Sequence, residues 1–103
     1  MIKGTTPTLH FNLPIETNLI KAAEIVLQYV DNAKTVTIER KMEDCNVGEK
    51  SIAAVLTQEE TLALPAPALA KVQIRVKTED DLVLASPVFD VTVKELLKES
   101  VIE

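Results

Sequence analysis

Cysteine, glycine and tryptophan are scarce or missing in this sequence of 103 residues, and each shortage excludes a class of protein. The single cysteine, Cys45, excludes an internal disulfide and a multi-cysteine metal site. The two glycines form neither a GxGxxG nor a GxxxxGK pattern, so no phosphate-binding loop is predicted. The absence of tryptophan excludes the Cys…Trp…Cys core of antibody domains.

Basic residues are outnumbered, 11 against 16 acidic ones, which gives a net charge of −5. Nucleic acid and anionic membranes are bound through clustered Lys and Arg, so neither is an expected partner. No apolar run approaches the ~18–20 residues that span a bilayer. The start, Met1-Ile2-Lys3, leads into the turn-forming segment 4–7 instead of the apolar stretch of a signal peptide. We therefore expect synthesis in the cytosol, without a signal peptide.

The chain does contain segments in which apolar and polar residues alternate, and these segments are separated by turns. Turn-forming residues interrupt the chain about every ten positions, a spacing typical of all-β sandwiches and barrels. In 71–77, Val72, Ile74 and Val76 alternate with polar residues, which predicts a strand with one buried face. Four more segments alternate in the same way: 8–13, 35–42, 51–56 and 88–93, the last with Phe89, Val91 and Val93 inward. In 35–42, Arg40 interrupts the apolar side, and we expect its stem to pack while its head reaches water.

Segment 19–30 admits two interpretations. As a helix it aligns Leu19, Ala23, Val26, Leu27 and Val30 in one stripe, with Asn18 as its cap. As a strand it places Ala23, Ile25, Leu27 and Tyr29 on one face. We predict a strand over 22–30, because the neighbouring segments all have a period of two and need a pairing partner.

The connections favour antiparallel pairing. Hairpin turns are predicted at 47–51, around Gly48, and at 79–81. Thr57 and Glu60 match a capping box, which predicts one short helical turn at 58–62. The segment 65–67, with two prolines, suits a crossing between sheets, and 94–100 either forms a terminal helical turn or extends the last strand. The prediction is a single domain over 1–103, an all-β, antiparallel immunoglobulin- or fibronectin-like β-sandwich of about seven strands.

None of the candidate catalytic or metal-binding residues has, in the sequence, the partner residues that catalysis or metal binding requires. His10, the one histidine, has no assignable nucleophile or orienting acid, and we expect a solvated strand side chain. Cys45 follows two acids, which oppose formation of a thiolate, so a packed structural thiol is expected. The acidic run 79–81 fits a solvated hairpin tip better than a calcium loop, and Glu59-Glu60 fits helix capping better than acid–base catalysis. We predict no enzyme: no catalytic, cofactor-binding or metal-binding residues, and no cofactor.

Some apolar residues lie outside the predicted core. These are Val83, Ala85 and Val88 near one edge, Ala53 and Val55 near another, and Val101-Ile102 in the tail. Such surface is either thinly covered core or a contact for another subunit, and the sequence leaves both open.

Three stretches together carry a resemblance to a known family. They are Ile2-Lys3-Gly4-Thr5-Thr6-Pro7-Thr8 followed by Phe11-Asn12-Leu13-Pro14, then Leu56-Thr57-Gln58-Glu59-Glu60-Thr61-Leu62, then Val72-Gln73-Ile74-Arg75-Val76-Lys77 running on to Ala85-Ser86. In this order they resemble small proteins from prophage tail modules of Gram-positive gut bacteria, similar to the N-terminal immunoglobulin-like domain of phage baseplate upper proteins. The long C-terminal extension of baseplate proteins has no counterpart in these 103 residues.

The resemblance implies a structural β-sandwich that packs against neighbours in a virion. The expected function is therefore non-enzymatic assembly in a phage or prophage tail or baseplate, through protein–protein contacts with other virion or tail proteins. A free-standing fibronectin-like module that recognises a host protein or glycan is the alternative. Homo-oligomerisation, the identity of the partner and the contacting face are left open by the sequence.

Overall fold

The computed structural model describes residues 1–103 and shows an all-β sandwich of two antiparallel sheets. The strands are β1 (Thr8–Asn12), β2 (Ile20–Val30), β3 (Thr35–Lys41), β4 (Asn46–Val47), β5 (Ser51–Val55), β6 (Ala68–Thr78), β7 (Val83–Ala85) and β8 (Phe89–Val93). One α-helix, α1 (Gln58–Leu62), and two 3-10 turns, Thr17–Leu19 and Met42–Asp44, complete the elements. No helix has the length and apolarity needed to cross a bilayer.

The two sheets differ in width. The small sheet has the order β1-β5-β4, and the large sheet has the order β3-β2-β6 with β7 and β8 both on the far side of β6. The prediction of a strand at 22–30 is confirmed, and β2 begins two residues earlier, at Ile20. The hairpin turns after Val47 and Thr78 are confirmed as well. The segment 65–67 crosses from the small sheet to the large one, as expected.

The core is aliphatic and lies between the sheets. Alternation places Ile25, Leu27 and the even-numbered residues of β6 on the inner face of the large sheet, opposite Ile52 and Ala54 of the small one. The thinnest dimension of the molecule, 17 Å, fits two packed sheets. The buried apolar residues are Ile20, Ala23, Ile25, Leu27, Ile38, Ile52, Ala54, Leu56, Leu64, Ala70, Val72, Ile74, Val76 and Val93.

Helix α1 begins with the predicted capping box. Thr57 Oγ1 accepts from Glu60 N at 3.1 Å, and the Glu60 carboxylate accepts from Thr57 N at 2.9 Å. Thr61, fully buried on this helix, accepts from Gly4 N and donates to Thr5 O, both at 2.9 Å. The helix therefore holds the N-terminal segment against the sandwich.

The expectation for Arg40 is only partly correct. Its head does not simply reach water, because the guanidinium meets Glu60 with two hydrogen bonds: Nη1 donates to Oε2 at 2.8 Å and Nη2 donates to Oε1. Nη2 also donates to Val55 O at 3.2 Å. The Arg40 side chain is 17% exposed. This pair therefore ties β3 to α1 and to the end of β5.

The C-terminal segment 94–103 adopts neither of the two conformations considered for 94–100. Lys94 forms an isolated parallel bridge with Ile2, and the rest has no helix or strand. Lys3, which is buried, pairs with Glu99, and the Gln58 side chain exchanges two hydrogen bonds with the backbone of Ile102. The tail is therefore attached by side-chain contacts.

Candidate functional site

An apolar groove lies between the edge of the small sheet and the inner face of the large sheet. Its volume is about 600 Å³. One wall is β1 with the residues that follow it, the floor is the inner face of β6, and the far wall is formed by β7, β8 and the link between them. We call this concavity, lined by residues 9–15, Val72, Ile74, Val76, residues 84–87 and Phe89, the edge groove.

A one-residue bulge shapes the far wall. β7 pairs Ala85 with Arg75, and β8 pairs Phe89 with Val72. The three residues that link the two strands, 86–88, therefore lie opposite only two residues of β6, 73 and 74. Ser86 occupies the bulge: its N donates to Ile74 O at 2.9 Å and its Oγ accepts from Ile74 N at 3.1 Å. The extra residue changes the parity of the strand, and therefore both Leu84 and Phe89 lie on the inner face.

Leu84 and Phe89 are not covered, although they lie on that inner face. Leu84 is opposite the buried Val76 and is 44% exposed, and Phe89 is opposite the buried Val72 and is 48% exposed. The prediction that Phe89 points inward is therefore correct for its direction and wrong for its burial. The cause is the width of the small sheet, which has three strands and ends at β1.

The groove carries no Asp, Glu, Lys or Arg among its lining residues. The polar side chains at its rim are His10, Asn12 and Ser86, and His10 is exposed, as expected for a solvated strand residue. In a chain with 26% charged residues, an uncharged lining of this size favours an occupant that is itself apolar where it faces the groove.

The other residues considered for chemistry lie apart from the groove. Cys45 is half-buried after the Met42–Asp44 turn, and burial together with the charge of Asp44 raises the pKa of its thiol. In the acidic hairpin tip, Asp81 pairs with Lys21 and with Lys77. No three His, Cys, Asp or Glu side chains come together as a group able to hold a metal ion.

Both carboxylate oxygens of Glu60 accept hydrogen bonds, from the Arg40 guanidinium and from Thr57 N. Its hydrogen bonds with Arg40, and then those with Thr57, lower the pKa of the carboxyl. A carboxylate held in its charged form by a cap and a guanidinium is a poor proton donor near neutral pH.

Sequence reasoning missed the edge groove. The signal that was present is the apolar run Leu82-Val83-Leu84-Ala85 followed by Pro87, since a proline beside an apolar edge strand indicates a bulge. No family model, curated protein or solved structure matches the chain. The groove itself is therefore the starting point for a functional argument.

Proposed function

We propose that the protein is a non-enzymatic structural module of a phage or prophage tail or baseplate, and that it acts by protein–protein contact through the edge groove. The resemblance of three sequence stretches to baseplate proteins supplies the setting. The groove supplies the contact surface: a broad, uncharged, apolar concavity at the side of a sandwich. Contiguous exposed apolar surface of this kind is typical of interaction sites.

The half-exposure of Phe89 on the inner face is the observation that carries the proposal. Full burial of a phenylalanine side chain stabilises a protein by about 1.5–3 kcal/mol, so a side chain left 48% exposed retains about half of that for a contact with another molecule. Leu84, which lines the same groove opposite Val76, adds a similar share. An aromatic and an aliphatic anchor in one concavity are typical of the energetic centre of an interface.

The same wall also favours a second candidate, a binding module for a host protein or glycan. Two of the three aromatic residues of the chain, Phe11 and Phe89, line the groove, while Tyr29 does not. Sugar rings stack on such aromatics, but sugar hydroxyls need hydrogen-bonding side chains, and the rim offers His10, Asn12 and Ser86. Binding of the isolated protein on a glycan array, lost in a Phe89→Ser variant, would support this candidate instead.

Fractionation of induced phage particles tests the proposed function. Particles from the bacterium that carries the gene are separated on a density gradient, and the protein is detected by mass spectrometry. We expect it in the tail-containing fractions. Its absence from intact particles and from free tails, while it is present in the lysate, would refute the proposal.

Two matched variants test the role of the groove. Phe89→Ser removes the half-exposed aromatic, and Leu69→Ser changes a residue that is 50% exposed on the outer face of β6. We expect Phe89→Ser to reduce incorporation into particles about tenfold, the effect of ~1.4 kcal/mol. Leu69→Ser leaves incorporation unchanged. Circular dichroism of both variants checks that the sandwich is intact.

A further inference from the structure

The outer edge of β1 carries unpaired backbone groups. Pro7 O accepts from Leu56 N at 2.9 Å, and Leu13 N donates to Lys50 O at 2.8 Å. In an antiparallel ladder each residue directs both of its backbone groups to the same side, so the odd-numbered residues of β1 face β5. The even-numbered residues, Thr8, His10 and Asn12, therefore direct N–H and C=O away from the sheet, along the side where the groove opens.

The groove and this edge together leave room for one more strand beside β1. Leu9 and Phe11 project from β1 toward the inner side, and beyond β1 the small sheet stops, while the large sheet continues through β7 and β8. A strand placed against the free edge of β1 lies over Leu84 and Phe89. Its backbone satisfies the groups of β1, and its inward side chains cover the apolar wall.

We propose that the occupant of the edge groove is an extended segment of a partner polypeptide, which adds to β1 as a fourth strand of the small sheet. This inference rests on the proposed function, in which the groove is a protein contact. The recognised chemistry is a strand of about five residues with uncharged apolar side chains at alternate positions, a length set by Pro7 and Pro14 on either side of β1. The absence of charge in the groove matches such a face and excludes ionised side chains from it.

The two edges of the large sheet are less suited to strand addition. The edge formed by β7 and β8 is broken by the bulge and by Pro87, and beyond Asp90 it is covered by Met1, whose amino group donates to Thr92 O at 2.9 Å. On the free edge of β3, Lys41 N is already bound by Asp44 at 3.0 Å. Strand addition at either of these edges would cover neither Leu84 nor Phe89.

Two alternative occupants fit the groove less well. A small apolar molecule would fill the groove but would leave the backbone groups of β1 unpaired, and such groups are costly to bury. A second copy pairing β1 with β1 would bring its own overhanging β7 and β8 into the same layer, where the two large sheets would collide. A partner strand without such an overhang avoids both difficulties.

Amide exchange in the presence of a defined peptide tests the inference. The probe has the sequence of residues 71–77, blocked at both ends, since Val72, Ile74 and Val76 alternate there with polar residues that keep it soluble. By NMR on the full chain, with peptide at about ten times its Kd, the amides of Thr8, His10 and Asn12 exchange about tenfold more slowly. The amide of Thr37 on the free edge of β3 is the internal control and does not change.

Two N-methylated peptides separate strand addition from simple apolar binding. One carries methyl groups on the amides of its odd positions and the other on those of its even positions, so in any one register only one of them blocks the bonds to β1. We expect one peptide to lose binding and the other to retain it. Equal binding of both peptides, or a shift of the Phe89 ring signals without protection of the β1 amides, overturns strand addition and leaves the groove as an apolar contact.

Two further outcomes would also overturn the inference. One is the absence of protection at β1 with about 1 mM peptide, a concentration that detects even weak binding. The other is a dimer of the free protein whose β1 amides are already protected, which would make a second copy the occupant. Neither outcome depends on phage particles, so failure here is distinguishable from absence of the protein in the tail fractions.

Discussion

The pair formed by Arg40 and Glu60 should be worth more to stability than its place near the surface implies. The two hydrogen bonds between them join β3 to α1, and the same guanidinium donates to Val55 O at the end of β5. Glu60→Gln removes the charge, while its amide oxygen still accepts from Thr57 N. Arg40→Met keeps much of the packed stem and removes the guanidinium.

The expected magnitude lies between two known limits. Fully exposed ion pairs are worth about 0.2–1 kcal/mol, whereas removal of one partner from a buried pair costs about 3–5 kcal/mol. The side chains of Arg40 and Glu60 are 17% and 27% exposed. We therefore expect a coupling free energy of about 1–2 kcal/mol in the double-mutant cycle.

Urea unfolding followed by far-UV circular dichroism measures the four proteins of the cycle. With a urea dependence of about 1–3 kcal/mol/M, each single variant lowers the midpoint by roughly 1 M. The control cycle uses Lys71 and Asp90, which pair at 2.5 Å with more than half of each side chain exposed, and its coupling should be about 0–0.5 kcal/mol. Equal coupling in the two cycles would refute the reasoning.

The contribution of the Arg40–Glu60 pair to the free energy of unfolding should also depend on pH, in a direction set by the pKa of Glu60. Arg40 lowers the pKa of Glu60 in the folded state, so the stabilisation is complete above the pKa of the unfolded chain and is lost as the pH falls through the folded value. The difference in unfolding free energy between the wild type and Glu60→Gln should therefore be constant near neutral pH. It should shrink in acid, below the ordinary glutamate pKa of about 4.3. A difference that grows in acid would contradict the assignment.

Two further predictions concern single residues away from the groove. Gly4→Ala should lower the unfolding free energy by about 1–2 kcal/mol in the same urea assay, because Gly4 has a φ of +76° and a Cβ there would lie 2.5 Å from a Leu96 methyl. Gly48→Ala should cost less, because the close atom there is a serine hydroxyl that can rotate away, and an equal loss would contradict this reasoning. The Cys45 thiol should react with a disulfide reagent more slowly than free cysteine at neutral pH, since burial and Asp44 raise its pKa. Asp44→Asn should speed this reaction, and a rate at or above that of free cysteine would contradict the assignment.

The strands were predictable because alternation reports directly on which face of a sheet each residue occupies. In β6, Val72, Ile74 and Val76 are buried and the odd-numbered residues of 71–77 are exposed, as predicted, and the same alternation extends to the buried Ala70 and Thr78. The pattern of residues 19–30 fitted both a helix and a strand, and the need of the neighbouring strands for a pairing partner favoured the strand. The strand observed there pairs with both β3 and β6. The capping box was predictable because Thr57 and Glu60 are three residues apart and interact locally.

Long-range pairing between polar residues was not predictable from the same pattern. Arg40 and Glu60 are 20 residues apart and lie on different elements. The residues that flank each of them in the sequence do not indicate that the two form a pair. Likewise the attachment of the tail through Lys3 and Glu99 depends on the parallel bridge between Ile2 and Lys94. Such contacts depend on how the sheets are stacked, which alternation within one strand does not specify.

The edge groove shows where the alternation argument stops. A period of two assigns Phe89 to the inner face, but burial also requires a strand on the opposite sheet, and the number of strands in a sheet is a property of topology. A bulge then adds Leu84 to the same uncovered face, although Leu84 and Phe89 have opposite parity in the sequence. Two large apolar side chains therefore lie on an inner face that no strand of the small sheet covers, and they lie next to the free edge of β1. One additional strand beside β1 would cover them. For that reason the amides of Thr8, His10 and Asn12 are the groups at which the proposed strand addition is tested.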